Sequence, residues 1–127
     1  MNPTELIRTF VLNEIMDDYE EFEYVTENVA KLGAEIRVTV HKDDIVRALI
    51  NLTENGFAKA YRFVAKGTRT EEIEGVPSLD EIQNSDPYSR CYFWTSEKGK
   101  EEHRRLRLLA SWPFDEDGGL RNLHQSQ

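Results

Sequence analysis

The sequence predicts one α+β domain, and three observations carry that prediction. Asp43 to Asn55 is an amphipathic helix that stops at Asn55-Gly56 and passes at once, through Phe57, into a β-branched and aromatic run from Ala58 to Ala65. Arg90-Cys91-Tyr92-Phe93-Trp94-Thr95 reads as a second strand of the same kind. Ser96 then stands where a helix N-cap belongs, ahead of a helix from Glu97 to about Ala110.

The chain has 127 residues, enough for one domain around one core. No apolar run approaches the length of a membrane span. The start, Met1-Asn2-Pro3-Thr4-Glu5, has no basic region followed by an apolar stretch. The single cysteine, Cys91, has no intrachain disulfide partner. These features point to the cytoplasm. The net charge of −8 is uneven, with nine acids against three bases in residues 1–40 and six of each in residues 97–127. An acidic chain repels nucleic acid at long range unless its bases share one face; otherwise the excess is a solvated surface.

Taken in order, Pro3 to about Asp18 reads as the first helix, with Pro3 suited to its first turn. Its apolar residues form two stripes: Leu6, Ile7 and Phe10, then Val11, Leu12, Ile15, Met16 and Tyr19. A helix apolar on two sides is covered on two sides. Either it lies central in the domain or its second stripe meets a partner subunit. Residues 17–23 form an acidic connector. A helix from about Tyr24 to Leu32 follows, with Gly33 as its C-cap. Ile36 to Val40 alternates at period two and reads as a short strand. In the third helix Ile45, Ala48, Leu49 and Leu52 make the core stripe, and Asp43 and Asp44 suit the N-terminal end of its dipole.

The link from Lys66 to Ser89 is too long for a simple hairpin loop. Within it, Pro77 to Ile82 suits one or two helical turns and Asp86-Pro87 a turn. In the last helix Gly99, His103, Leu106 and Leu109 face inward, and Trp112-Pro113 closes it. Residues 1–114 thus form the domain, with an insert at 66–89, and residues 115–127 form a polar tail.

Three local patterns carry a family resemblance. They are Val29-Ala30-Lys31-Leu32-Gly33; Ile45-Val46-Arg47-Ala48-Leu49 with Leu52 and Gly56-Phe57; and Phe93-Trp94-Thr95-Ser96-Glu97-Lys98-Gly99. In this order the chain resembles the winged helix-turn-helix family, particularly the MarR- and PadR-like bacterial transcriptional regulators. The resemblance covers residues 24–100. It implies a winged helix: a three-helix core, a small antiparallel wing sheet and an added C-terminal helix. It also implies DNA binding, with the third helix in the major groove, the wing on the backbone, and a homodimer made by the terminal helices. Two features depart from the pattern. The stretch from Gly33 to His41 is longer than a tight helix-turn-helix needs, and the wing insert is acidic, with Glu71, Glu72, Glu74, Asp80, Glu81 and Asp86.

The outward arc of the third helix contains Asp43, Asp44, Arg47, Ile50, Asn51, Glu54 and Asn55. Arg47 and Asn51 suit base reading, since Arg pairs with guanine and Asn with adenine. Lys42 is placed to touch phosphate. The alternative is a solvated helix surface. Lys59, Arg62, Lys66 and Arg69 offer phosphate contacts on the wing, or else protect an edge strand by charge. The basic last helix suits nucleic acid or, as we read it, pairing with the acidic N-terminal third. The aromatic group Tyr61, Phe63, Tyr88, Tyr92, Phe93, Trp94, Trp112 and Phe114 reads as core, with a ligand pocket as the alternative. His41, His103 and His124 lie in separate elements, and Cys91 reads as a packed residue. The sequence therefore predicts no catalytic residues, no metal site and no cofactor. A protein-interaction module using the acidic third-helix face or the long insert is the second functional reading.

Overall fold

Asn2 starts the first helix by accepting the Glu5 backbone N–H on its side-chain oxygen at 2.8 Å, with Pro3 in the first turn. In this computed structural model, which describes residues 2–64, 69–87, 89–109, 112–115 and 120, the elements run α1 (Pro3–Glu14), β1 (Glu20–Glu21), α2 (Phe22–Glu35), α3 (Lys42–Glu54), β2 (Ala58–Val64), β3 (Arg69–Glu72), α4 (Leu79–Gln83), β4 (Tyr92–Thr95) and α5 (Glu97–Arg107). The strands form one antiparallel sheet in the order β1-β4-β2-β3. The fold is α+β.

α1 is shorter than the sequence predicts, and the reason is tertiary. The Thr95 N–H donates to the Ile15 carbonyl (3.0 Å), the Thr95 hydroxyl to the Leu12 carbonyl (3.2 Å), and the Trp94 indole N–H to the Met16 carbonyl (3.1 Å). Strand β4 thus takes up carbonyls that a helix end leaves open. Both apolar stripes of α1 are covered within the chain. Ile7, Phe10, Val11, Leu12 and Ile15 are all buried, and α1 packs on α2, α3 and α5. Burying each large side chain of this kind contributes about 1.5–3 kcal/mol.

Two helix ends use the same two-bond turn. After α3, the Gly56 N–H donates to Thr53 (3.1 Å) and the Phe57 N–H to Leu52 (2.9 Å), with Gly56 at φ 75°. After α2, the Arg37 N–H donates to Ala34 (3.2 Å) and the Val38 N–H to Gly33 (2.8 Å), with Arg37 at φ 60°. This corrects two expectations. Gly33 is not the cap; it lies inside α2, where a Cβ would meet the Val38 carbonyl oxygen at 2.5 Å. Ile36 to Val40 is not a strand, because Arg37 is left-handed and Val38 bonds back to the helix.

The acidic connector contains β1, whose Glu20 and Glu21 pair with Phe93 and Tyr92. The Glu21 carboxylate also caps α2 by accepting the Glu23 and Tyr24 N–H groups. The insert between β2 and β4 is ordered over its described residues. β3 pairs with β2, and α4 follows a Ser78 cap, with Ile82 buried in the common core.

Ser96 caps α5 by accepting the Gly99 N–H at 3.0 Å, and its hydroxyl donates to the Gly56 carbonyl at 2.6 Å. Its own N–H donates to the Phe57 carbonyl. The Ser96-x-x-Gly99 spacing therefore joins the α3 exit to the start of α5.

Candidate nucleic-acid interface

α3 places its apolar stripe inward and leaves the opposite face open. Ile45, Val46, Ala48, Leu49 and Leu52 are buried, while Asp43, Arg47 and Glu54 are exposed. Arg47 is an accessible cation of this face, with 71% of its side chain exposed. It bonds Asp44 at 2.7 Å, one helical turn away. Asp44 also accepts the His41 backbone N–H at 2.9 Å, which holds its carboxyl below the usual range, with Arg47 adding to the effect. Lys42 is the first residue of α3 and is exposed.

Asn51 is half-buried, and its side-chain oxygen accepts Arg8 Nη1 at 3.0 Å. A guanidinium has no acceptor, so the amide orientation is set by chemistry: oxygen toward Arg8, nitrogen away from it. Arg8, Thr4 and Ile7 of α1 and Asp44, Arg47, Ala48 and Asn51 of α3 line a groove of about 270 Å³. No local pattern singles out Arg8, which lies 43 residues from Asn51.

The strand cations are divided. Lys59 shares a face with Trp94, whereas Arg62 points to the opposite face, since sheet side chains alternate. Lys59 Nζ lies 3.3 Å from Glu72, and Arg62 pairs with Glu81 of α4. The Glu81 carboxyl is held low first by the Ser78 backbone N–H and then by its other partners, Arg62 among them. Lys66 lies outside the described residues, and Arg69 is exposed at the start of β3. The structure thus brings Arg47 and Asn51 together on α3 and ties Lys59 and Arg62 to insert carboxylates.

In α5, Lys100 pairs with Glu97 at 3.2 Å and Arg105 with Glu102 at 2.5 Å, both within the helix, and Glu5 of the N-terminal third adds to the electrostatic hold on Arg105. His103 is buried beside Asn13, at 3.2 Å from its side-chain oxygen. Burial, with Arg107 adding to it, lowers the imidazole pKa to about 4. Cys91 is fully buried, which pushes its thiol up to about 11. Among the described residues no group of three His, Cys, Asp or Glu side chains could hold a metal, and no helix is long and apolar enough to cross a membrane. His124 lies outside the described residues.

The aromatic group separates in two. Phe93, Trp112 and Phe114 are core. Tyr61, Phe63, Tyr92 and Trp94 stay half-buried on the outer sheet face, where Tyr19 joins them. Tyr88 lies outside the described residues. Strand alternation held the signal for this split, and only knowing which face the helices cover resolves it. No family model, curated protein or solved structure matches the chain.

Proposed function

We propose that this chain is a winged-helix-type domain that binds duplex DNA as a transcriptional regulator, with α3 as its reading element. The observation that carries the reading is the pair Arg47 and Asn51. They stand one turn apart on α3, one exposed and one held by Arg8 with its amide nitrogen turned away from that partner. Two donors so placed suit acceptor-rich base edges, guanine in particular. The fold supports the reading through the short β1 after α1, the order β1-β4-β2, and the direct passage from α3 into β2. In this reading Lys42 meets phosphate at the start of α3, Lys59 and Arg62 serve backbone contacts from opposite faces of β2, and Lys66, outside the described residues, stays an expectation from the sequence. The exposed pairs Arg47–Asp44 and Lys59–Glu72 contribute only about 0–1 kcal/mol each, so phosphate or base competes for these cations at small cost. A homodimer through α1 and α5 belongs to the same reading.

A second reading has its own support. Asp43 and Glu54 flank Arg47, and Lys59 and Arg62 already face carboxylates. That arrangement suits a winged-helix interaction module that meets a basic protein surface.

Fluorescence-anisotropy titration of random duplex DNA at low and moderate salt separates the two. The DNA reading expects binding that weakens steeply with salt and is lost in Arg47→Glu. No binding at low salt overturns it. The module reading then expects a basic partner whose binding falls when Asp43, Asp44 and Glu54 are neutralised.

A further inference from the structure

The helices cover one face of the sheet, where Ala58, Ala60, Phe93 and Thr95 are buried. The other face is aromatic and half-open. Antiparallel partners share a face, so Trp94 stands beside Lys59, Tyr61 lies between Tyr92 and Glu72, and Phe63 stands beside Thr70. Tyr19 meets Trp94, Tyr61 and Phe63 edge-on, with ring centroids 4.5, 4.9 and 5.7 Å apart. These contacts hold the rings against one another as one aromatic cluster.

A broad, shallow groove of about 480 Å³ opens at one end of this face, against Tyr61 and Trp94. Lys59, Lys98 and Lys100 border it, with Glu97 on the same rim. Lys98 Nζ donates to the Asn55 carbonyl at 2.8 Å and lies over the Phe57 ring, so its ammonium is held in place without a carboxylate in that contact. Lys59 and Lys100 have exposed partners, Glu72 and Glu97, whose hold is weak. Three lysines on one aromatic groove is a local cationic concentration in a chain of net charge −8.

We propose that this groove binds single-stranded nucleic acid, with unpaired bases against Tyr61 and Trp94 and phosphates drawn to Lys59, Lys98 and Lys100. The combination of π surface and cations is what an unpaired strand requires, because every base has a face to stack and every linkage a charge to neutralise. A duplex keeps its bases stacked on one another and offers none to the rings. A basic peptide would meet three ammonium groups. The openness of the groove suits a strand passing through better than an enclosed small molecule. The proposal does not rest on the α3 reading, since Arg47 and Asn51 line the separate groove between α1 and α3.

The test is anisotropy of a labelled oligothymidylate strand at low salt, with the same strand annealed to its complement and an oligoglutamate competitor as controls. The strand is expected to bind, and Tyr61→Ala to weaken it about tenfold, in line with ~1–3 kcal/mol per stacked base. Lys98→Gln, a surface change that leaves the rings intact, should lower the slope of log K against log salt by about 0.7. Arg47→Glu should remove duplex binding and leave strand binding unchanged. Strand binding without duplex binding supports this groove and overturns the α3 reading. The proposal is overturned if the strand fails to bind at low salt, if oligoglutamate competes equally, or if binding withstands Tyr61→Ala and keeps its salt slope in Lys98→Gln.

Discussion

The Arg8 guanidinium on α1 donates to the Asn51 side-chain oxygen on α3 across 3.0 Å, so the packing of two helices orients a polar side chain of the candidate interface. Arg8 Nε is buried with no hydrogen-bond partner, so the Asn51 bond is what the guanidinium gains there. A hydrogen bond to a charged group of this kind contributes about 1.5–3 kcal/mol when well made and less when partly exposed. In a urea-unfolding double-mutant cycle of Arg8→Ala and Asn51→Ala, we expect a coupling of about 1 kcal/mol. Purely additive losses would mean that the contact does not orient Asn51.

Gly99 has a packing role that its position in a helix does not reveal. A Cβ there would run into the Phe57 carbonyl oxygen and meet Thr95 Cγ2 at 2.6 Å. The backbone acceptor cannot move without breaking its bond from the Ser96 N–H. Gly99→Ala should therefore cost about 3 kcal/mol despite the better helix propensity of alanine. Gly75 is a useful contrast. It has φ 74° and nothing within 4 Å of a built Cβ, so Gly75→Ala should cost only the left-handed penalty of about 1–2 kcal/mol. Thermal unfolding of both variants checks the order, and equal losses would remove the packing argument.

The contrast also marks what the sequence makes legible. Local signals suffice for Asn55-Gly56 and for Ser96, because a cap involves residues within one turn. They also suffice for the buried stripe of α3. They fail where a distant partner decides. Glu20-Glu21 and Arg69 to Glu72 are poor strand formers by composition and become strands only because β4 and β2 offer them partners. Ile36 to Val40 has strand periodicity, yet one left-handed residue and a bond back to Gly33 override it. In the candidate site, the outward position of Arg47 follows from helical spacing alone. Its pairing with Asp44 is local, but the links Asn51–Arg8 and Arg62–Glu81 span 43 and 19 residues. No spacing rule reaches so far.

His103 predicts a pH dependence with a definite sign. It is only 7% exposed, and its folded pKa of about 4 lies below the ordinary 6.5. Between those values the unfolded chain binds the proton and the folded chain does not, so stability falls as pH drops from about 6.5 to 4 and is level on either side. The Asn13 oxygen and the Arg107 cation are its neighbours, and burial is the larger cause of the shift. The full loss is on the order of 3 kcal/mol. His103→Gln keeps a polar partner for Asn13 and removes the titration. Urea midpoints of the two proteins should diverge in this window, with the wild type losing more as pH falls; parallel curves would mean that the imidazole does not resist protonation.

Cys91 reports whether the insert stays docked. The thiol is fully buried and its pKa is raised to about 11, mainly by burial, so little thiolate exists at neutral pH. The charges acting on it are Glu81 and Arg62, the pair that ties α4 to β2. Native labelling by a thiol reagent should therefore be slow and limited by opening of this region. Ile82→Ala removes the buried anchor of α4, at a cost of about 2–4 kcal/mol, and should accelerate labelling strongly. Arg62→Ala breaks a half-exposed pair and should accelerate it by severalfold at most. Equal acceleration by a core variant remote from the insert, such as Leu49→Ala, would mean that the thiol opens only by global unfolding. A larger effect of Ile82→Ala at matched stability would identify α4 as a separately opening unit above the β2–β4 pair.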